Sequence, residues 1–541
     1  MDYSDVFSFH TFMLPFSVND KFYKALPLTE TAANGMWWKE ITYDGHITKE
    51  GLYKEVEGQE REPHEEYNRR LTYNEYQYFL PKANKIIFNE AGSFVHNYVL
   101  VYNGKRENLG YFSITKTDDK DVNYKYSLNI FQISLLFDEK LGIGVLSFGL
   151  ECDTDFYSRQ IDVFSIINDL GRRTFAASYG YYDKQIITPI SPNNIKINIE
   201  NKSFNIGFND TNNDKKQILH ILMGGDVEED KENYDFTPIL DDRMFTVSAI
   251  IDNVWTDKFK EAVNAINSSN TETPSKDEDE NVLKHLYEIM FLDSFNNCSC
   301  QEKSMRRELI KKHLYTRWND WGSIYSVTEY SLTLITNKSC PDYLIDNFLT
   351  HYADMAKIAL LQRAALAVLE TEVCNRTSRE GMDKNTMGEL WEKYIHFQSD
   401  LYLPEISHQQ QGIEMYDMLR DNLRLKVFKE YIEGMLENLK EIESEKNAKK
   451  REEEIERQEK WEKEQDRKIN KLTTWLSIIM GISTLIDVMT IVGLGEKIQI
   501  SLFCGVFVST IVLIVLVIVS FRLIKEFKTK VNETEKKDNG K

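Results

Sequence analysis

Short apolar runs with strand-like composition dominate the first half of the chain, up to about residue 266. Residues 126–137 and 143–150 are rich in β-branched and aromatic side chains, and they flank the turn sequence Asp138-Glu139-Lys140-Leu141-Gly142. This arrangement predicts a β-hairpin. Residues 96–102 and 244–250 are predicted as further strands, and residues 160–170 carry apolar side chains at helical spacing with Gly171 as the C-cap. The pattern predicts a mixed α/β domain over residues 1–266.

The hydrophobic period becomes helical beyond residues 267–281, whose Ser, Thr, Asn and acidic composition is typical of a linker. A helical domain is predicted over residues 282–408, with a strong helix at 343–370. Residues 409–471 are predicted to form one long stalk helix, apolar along one stripe at first and then dominated by Glu, Lys and Arg. A solvated charged linker remains the alternative for the second half of the stalk. The fold class is therefore α+β.

Two long apolar segments follow the stalk, at residues 472–492 and 498–524, with only five residues between them. Each has the roughly 20 apolar residues that a membrane crossing requires, so a C-terminal two-helix transmembrane hairpin is predicted. The alternative is a pair of buried helices in a soluble domain. Basic residues before 472, together with the basic tail at 525–541, place both termini in the cytoplasm. The start of the chain lacks the apolar region of a signal peptide.

Polar residues in the first apolar segment fall near one helical face. They are Thr473, Ser477, Thr484 and Asp487. Ionisable groups within membranes usually face a bundle interior or water, so these four residues are predicted to line a pore in an oligomer. The alternative places Asp487 at the outer membrane interface.

The composition and the motif content argue against several functions and do not indicate an enzyme activity. The chain of 541 residues has a net charge of −20 and no basic stripe, so direct binding of nucleic acid is not expected. Its six cysteines have neither disulfide-scaffold nor zinc-ligand spacing. The sequence has no P-loop, GxSxG, HExxH or post-strand GxGxxG motif, and neither an enzyme activity nor a cofactor or metal site is predicted.

The order of these parts resembles the CorA family of divalent-cation channels over residues 281–524. The GMN signature of its magnesium channels is missing, and the corresponding place reads Val492-Gly493-Leu494-Gly495. The chain is most similar in organisation to the divergent CorA-like membrane effectors of bacterial type III CRISPR systems. This resemblance implies a homo-oligomer, typically a pentamer with coiled-coil stalks, in the bacterial inner membrane. It also implies an antiviral role in which a nucleotide second messenger, SAM–AMP, opens the channel and permeabilises the membrane.

Two other functions stay open at this point. One is an ordinary CorA-type transporter of magnesium or another divalent cation, against which the missing GMN signature argues. The other is a membrane-tethered scaffold that conducts nothing.

A small anionic nucleotide needs only one or two well-placed guanidinium groups. Arg172 and Arg173, directly after the helix predicted at 160–170, are the leading ligand-binding candidates, and Asp226 lies in a second candidate loop, Met223-Gly224-Gly225-Asp226. The alternatives are arginines that face solvent or pair with acids, and an ordinary turn at Asp226. Arg69-Arg70 and Arg306-Arg307 are rival basic pairs.

Overall fold

The structure of the protein is a computed structural model. The bounds of helices and strands given below refer to the part of the chain that it describes. That part comprises residues 6–18, 36–41, 75–88, 93–102, 111–117, 123–153, 161–173, 194–199, 202–207, 236–241, 243–268, 277–294, 296–377 and 384–492, with isolated positions between 505 and 522. The chain divides into two compact units, Met1–Asn438 and Leu439–Lys541. The first is an α+β unit with a mixed sheet.

Thirteen strands form the sheet of the first unit. They are β1 (Val6–Val18), β2 (Met36–Glu40), β3 (Val95–Tyr102), β4 (Tyr111–Thr117), β5 (Asn123–Asp138), β6 (Ile143–Asp153), β7 (Asn194–Ile199), β8 (Lys202–Gly207), β9 (Phe236–Pro238), β10 (Phe245–Ile251), β11 (Leu314–Tyr315), β12 (Ser323–Val327) and β13 (Ser331–Thr336). The main path runs β11-β12-β13-β10-β1-β6-β5-β4-β7-β8, while β3 joins β2 to β5 and β9 pairs with β1. The pairing of β10 with β13 is parallel, which makes the sheet mixed.

Ten α-helices accompany the strands in the described residues. They are α1 (Pro81–Ile87), α2 (Ile161–Gly171), α3 (Asn253–Ser268), α4 (Asp277–Phe291), α5 (Lys303–His313), α6 (Asp342–Asn347), α7 (Ala353–Thr377), α8 (Lys384–His396), α9 (Gln410–Asn422) and α10 (Leu425–Val492). Short π-helical segments, Phe348–Tyr352 and Phe397–Leu401, follow α6 and α8.

The predicted hairpin is confirmed as β5 and β6, which pair antiparallel from Asp138 and Ile143 outward. Gly142 closes the turn with a φ of 62°, a backbone conformation that glycine adopts without steric cost. The strands predicted at 96–102 and 244–250 are confirmed as β3 and β10, and the helix predicted at 160–170 is confirmed as α2. Gly171 is the last residue of α2 rather than a cap beyond it.

The region predicted as a helical domain, residues 282–408, also contributes strands to the sheet. Residues 323–336 form the hairpin β12–β13, every residue of both strands is buried, and β13 lies parallel to β10. Strands buried on both faces lack the alternation by which a half-exposed strand is recognised. The sheet thus includes residues on both sides of the predicted linker.

Gly171 packs against an aromatic ring in the core, which gives a testable prediction. A Cβ at this position would lie 2.2 Å from a ring carbon of Phe12, a fully buried residue. Overpacking of this kind costs about 1–3 kcal/mol, so Gly171→Ala should lower the free energy of unfolding by that amount, measured by urea titration. Gly434→Ala is the control, because no atom lies within 4 Å of the position that the new methyl group would occupy, and helix propensity should raise stability by about 0.5–1 kcal/mol. Equal effects of the two substitutions would contradict this packing.

The predicted stalk is not one continuous helix from its start. Helix α9 ends at Asn422, α10 begins at Leu425, and Arg424 between them has a left-handed φ of 55°. The charged part of α10 carries the expected i,i+4 pairs, including Glu456–Lys460 at 2.8 Å and Glu453–Arg457 at 3.3 Å. Such pairs support a helix that has no core of its own.

The predicted membrane hairpin is not supported. A crossing needs about 20 consecutive apolar residues in one helix, and among the described residues no helix combines that length with sufficient apolar character. Residues 472–492 are the last turns of α10, and most of 498–524 lies outside the described residues. The predictions of a C-terminal transmembrane hairpin and of a multi-pass protein in the bacterial inner membrane are corrected accordingly.

Candidate ligand-binding site

Several elements of the first unit converge at the end of the sheet where β10 and β13 begin. The end of α2 is tied to the start of β10, because the backbone N–H of Met244 donates to the carbonyl of Arg172 at 2.8 Å. The β12–β13 turn is tied to β10 in the same way, since the N–H of Thr246 donates to the carbonyl of Tyr330 at 3.0 Å. Three segments distant in sequence are therefore held together by backbone hydrogen bonds.

The end of α4 joins this cluster through side-chain hydroxyls. Thr328 and Ser331, both buried, donate to the carbonyl of Met290 at 3.1 and 2.5 Å. These bonds satisfy a carbonyl at a helix C-terminus, where the last four carbonyls have no partner within the helix. The turn and α4 are thereby fixed against each other.

A cavity of about 660 Å³ lies among these elements, a volume within the range of small-molecule sites. Its walls come from the ends of α2, α4, α5 and α9, from the residues before β10 and from the β12–β13 turn. The lining residues are Arg172, Asp241, Arg243, Tyr287, Phe291, Asp293, Ser299, Lys312, His313, Glu329, Tyr330, Asp421, Asn422 and Arg424.

Arg172 is the buried cation of this cavity, with 4% of its surface exposed. Its Nη2 donates to the carbonyl of Leu292 at 3.1 Å, while its Nε makes no hydrogen bond to any described residue and lies 3.9 Å from a carboxylate oxygen of Asp169. Burial, together with the nearby charge of Arg243, lowers the pKa of Arg172 to about 10. The guanidinium is therefore a cation that another anion would stabilise.

Arg173 has a different role from its neighbour. Its Nε and Nη2 donate to one carboxylate oxygen of Asp169 at 3.0 and 2.9 Å, and the other oxygen accepts from the hydroxyl of Ser294 at 2.7 Å. These bonds connect α2 to the segment after α4. Arg173 is a structural residue and does not line the cavity.

Charges of both signs line the cavity. The cations are Arg172, Arg243, Lys312 and Arg424, and the carboxylates are Asp241, Asp293, Glu329 and Asp421. Burial lowers the pKa of His313, whose Nδ1–H donates to the carbonyl of Val327 at 2.9 Å, so this imidazole is neutral at physiological pH. A ligand that carries both acidic and hydrogen-bond-donating groups fits such walls.

Aromatic side chains provide the apolar part of the lining. The rings of Tyr287 and Phe291 are stacked with centroids 4.3 Å apart and planes 20° from parallel. Tyr330 is exposed at the tip of the β12–β13 turn. Flat aromatic surfaces of this kind accept planar heterocycles such as nucleobases.

Left-handed backbone occurs at three places around the cavity. Leu240 has a φ of 83°, Leu292 of 57° and Arg424 of 55°, and no glycine occupies these positions. Non-glycine residues in this conformation cost about 1–2 kcal/mol each and often cluster at ligand sites. Leu292 supplies the carbonyl that Arg172 binds, and Arg424 connects α9 to α10.

A second cavity of about 270 Å³ adjoins the first, because both are lined by Asp241, Arg243, Glu329, Tyr330 and Arg424. Its other walls are mostly aliphatic and aromatic. They comprise Pro15, Ile239, Leu240, Met244, Phe245, Leu360, Arg363, Leu423 and Phe428. The guanidinium of Arg363 lies 3.5 Å from the ring centroid of Phe428.

One of the residues predicted to bind a ligand lines the large cavity, and its role in binding stays a prediction. Arg172 lines the cavity, Arg173 does not, and Asp226 lies outside the described residues, as do Arg69 and Arg70. The rival pair Arg306 and Arg307 is bound by the carboxylate of Glu280. Sequence reasoning missed Arg243, Lys312 and Arg424, which stand singly in three distant segments with no local motif to mark them.

Three of the four residues predicted to line a pore form hydrogen bonds within their own helix. The hydroxyls of Thr473, Ser477 and Thr484 donate to carbonyls of their own helix, four residues earlier, at 2.8–2.9 Å. The backbone of Asp487 is helical, within α10, and its side chain is not described. Their predicted role depended on the membrane hairpin, which is not supported.

Metal binding has no geometric basis in the described ranges, where no group of three or more His, Cys, Asp or Glu side chains could hold an ion. Comparison of the chain with models of protein families, with curated proteins and with solved structures finds no match. The described residues form an α+β fold with a mixed sheet and a polar cavity lined by three arginines at one end of that sheet.

Proposed function

We propose that this protein is a sensor that binds a small nucleotide messenger in the 660 Å³ cavity and responds at the α9–α10 junction. The observation that carries the proposal is the convergence of Arg172, Arg243 and Arg424 from three distant segments on one cavity. Of these, Arg172 is buried and has a guanidinium nitrogen without a hydrogen-bond acceptor among the described residues.

Phosphate is the anion that suits these arginines. Guanidinium groups bind phosphate through paired, charge-assisted hydrogen bonds, and Arg424 also stands immediately before α10, whose N-terminus carries partial positive charge. Because the site is partly desolvated, such contacts are stronger than they are in water. A phosphate would also offset the two effects that lower the pKa of Arg172, which are its burial and the nearby charge of Arg243.

The remaining lining residues match the other parts of a nucleotide. The stacked pair Tyr287–Phe291 and the exposed ring of Tyr330 can contact a nucleobase, while Asp241 and Glu329 can accept hydrogen bonds from ribose hydroxyls or amino groups. Sulfate, as an example of a simple inorganic anion, has no donor groups to offer the four carboxylates of the cavity. A nucleotide, which combines donors with an anionic phosphate, complements both sets of charges.

Nucleotide binding can change the structure of the α9–α10 junction if the nucleotide binds one arrangement of this junction more tightly than another. Asp421, Asn422 and Arg424 line the cavity at the place where α9 ends and α10 begins. A preference of about 1.4 kcal/mol for one arrangement shifts its population tenfold.

The messenger implied by the resemblance, SAM–AMP, is the first probe for this site. Its identity, the homo-oligomeric assembly and the antiviral context remain predictions that rest on the resemblance.

Adjacent arginines allow a matched test by isothermal titration of the full chain with SAM–AMP, AMP and ATP. Arg172→Lys keeps the charge but loses the planar fork, so we expect about tenfold weaker binding of whichever nucleotide binds wild type. Arg173→Lys is the control, because Arg173 pairs with Asp169 and does not line the cavity. The affinity of the Arg173→Lys variant for the nucleotide should stay within about twofold of the wild-type affinity.

Circular dichroism and a urea titration of each variant would separate a binding defect from a folding defect. Absence of binding by all three nucleotides would overturn the proposed function. Equal losses in the Arg172 and Arg173 variants would place the ligand elsewhere.

A further inference from the structure

His313 is a titratable side chain in the wall of the 660 Å³ cavity that the contacts proposed above do not use. It is the last residue of α5 and is buried, with 8% of its surface exposed. Resting on the proposed nucleotide site, we propose that His313 takes up a proton from solvent when an anionic ligand binds in this cavity. Binding of the nucleotide and binding of the proton would then strengthen each other.

The fold fixes which nitrogen of the imidazole can take the proton. Nδ1 lies 2.9 Å from the carbonyl oxygen of Val327, and because a carbonyl only accepts hydrogen bonds, Nδ1 carries the hydrogen. The ring also lies edge-on to Phe291, with centroids 5.3 Å apart and planes at 81°. In the neutral imidazole the lone pair therefore belongs to Nε2, which is the atom that accepts a further proton.

Burial keeps the imidazole neutral in the ligand-free cavity. Burial is the largest cause that lowers the pKa of His313, and the charge of Lys312 on α5 lowers it further, while the Val327 carbonyl and the Asn422 side chain act in the opposite direction without reversing the result. Ionisable groups of both signs also line the cavity on α4 and the segment after it, on the β12–β13 turn and at the α9–α10 junction. They are Tyr287, Asp293, Glu329, Tyr330, Asp421 and Arg424.

A bound anion would favour the imidazolium. The cavity has four cations and four carboxylates, so their charges are balanced before a ligand enters. An opposite charge within about 4–6 Å favours the charged form of a titratable group, and this effect is stronger in a partly desolvated site than in water. His313 also stands at the C-terminus of α5, whose partial negative charge favours a cation. The imidazolium would then offer its Nε2–H as a further donor to the ligand.

The pH dependence of the affinity follows from a pKa of His313 that is higher in the complex than in the free protein. The affinity is highest below the pKa of the free protein, which is lowered from 6.5. Above that value the affinity falls by up to about tenfold per pH unit, and it levels off above the pKa of the complex. A histidine that only supports Val327 and Phe291 would give no such dependence.

Isothermal titration of the full chain with SAM–AMP, AMP and ATP tests the proton uptake. Titrations at pH 6.5 in two buffers of different ionisation enthalpy give the number of protons bound with each nucleotide. We expect wild type to take up about 0.5–1 proton more than His313→Gln, whose side chain does not titrate in this range. His408→Gln is the matched control and should behave as wild type, because His408 is exposed and does not line the cavity. Protons exchanged by the phosphate itself are common to all three proteins and cancel in the comparison.

A second variant and a second measurement guard against a folding defect. His313→Asn offers an N–H donor near the position of Nδ1 for the Val327 carbonyl, and it should lose the proton uptake as His313→Gln does. A urea titration of each variant measures its stability. If neither variant folds, imidazole NMR of wild type decides, because one of the ten histidines must then show a pKa that rises when the nucleotide binds.

The outcomes separate this inference from the proposed function. If a nucleotide binds and the proton uptake is the same in wild type and in the His313 variants, the inference is wrong while the nucleotide site stands. An NMR titration in which no histidine pKa rises on binding has the same meaning. If none of the three nucleotides binds wild type, the proposed function fails and the inference fails with it.

Discussion

Replacing Asp138 with asparagine is expected to lower the free energy of unfolding by about 3 kcal/mol at pH 5 and by only about 1 kcal/mol at pH 9. Asp138 is fully buried at the end of β5, and its Oδ2 lies 2.6 Å from Nε2 of His396, which is also buried. The pair joins the β5–β6 hairpin to the end of α8. Removal of one partner leaves the other charge buried without compensation, which is the costly case for ion pairs.

The pH dependence follows from the pKa of His396. Burial by itself would lower this pKa, but hydrogen bonds and charges from Asp138 and Asp400 outweigh burial and raise it. A raised folded-state pKa stabilises the fold fully below the unfolded value of about 6.5, and this contribution disappears as the pH rises through the folded value. In Asp138→Asn the cation loses its buried counterion at pH 5, whereas at pH 9 the neutral imidazole can accept a hydrogen bond from the amide.

Asp400 provides the matched control, because its Oδ2 lies 2.7 Å from Nδ1 of the same imidazole but its side chain is 50% exposed. Asp400→Asn should cost no more than about 1 kcal/mol at either pH, since water screens an exposed partner. Urea titrations followed by tryptophan fluorescence at both pH values measure these differences. A loss for Asp138→Asn that is the same at pH 5 and pH 9 would contradict a change in the charge of His396 between these two pH values in the folded protein.

Local patterns in the sequence predicted those elements whose folding is decided locally. The hairpin β5–β6 has two apolar runs rich in β-branched and aromatic residues around a turn with Gly142, and α2 has apolar side chains at helical spacing, so both were predictable. The hairpin β12–β13 was not, because its strands are buried on both faces and lie among helical segments. Its parallel pairing with β10 depends on contacts distant in sequence, which periodicity does not report.

The break between α9 and α10 illustrates the same limit. The sequence Asn422-Leu423-Arg424-Leu425 contains neither glycine nor proline, and the apolar stripe continues through it, so a continuous helix was the natural prediction. Arg424 nevertheless adopts a left-handed conformation. The candidate site is similarly non-local: Arg172 was marked by its neighbouring arginine, but Arg243 and Arg424 become recognisable only when the fold brings them to one cavity.

Replacing Arg424 with glycine should separate ligand binding from stability. Arg424 is exposed, lines both cavities and has a φ of 55°. Glycine removes the left-handed strain of about 1–2 kcal/mol but adds unfolded-state entropy, so we expect a net gain of about 0.5 kcal/mol in unfolding free energy. Loss of a guanidinium from the phosphate position should weaken nucleotide binding about 100-fold, because charge-assisted contacts in partly desolvated sites contribute several kcal/mol.

Arg424→Gln completes the test, since glutamine removes the positive charge but keeps the strained backbone. It should weaken nucleotide binding about as much as Arg424→Gly while giving no gain in stability. Titration calorimetry with SAM–AMP, AMP and ATP, together with urea unfolding of the free protein, measures both quantities. If both variants retain wild-type affinity, Arg424 does not contact the nucleotide and the junction is a structural turn. If affinity and stability fall together in Arg424→Gly, the arginine holds α9 and α10 in place, and its conformation serves the fold rather than the ligand.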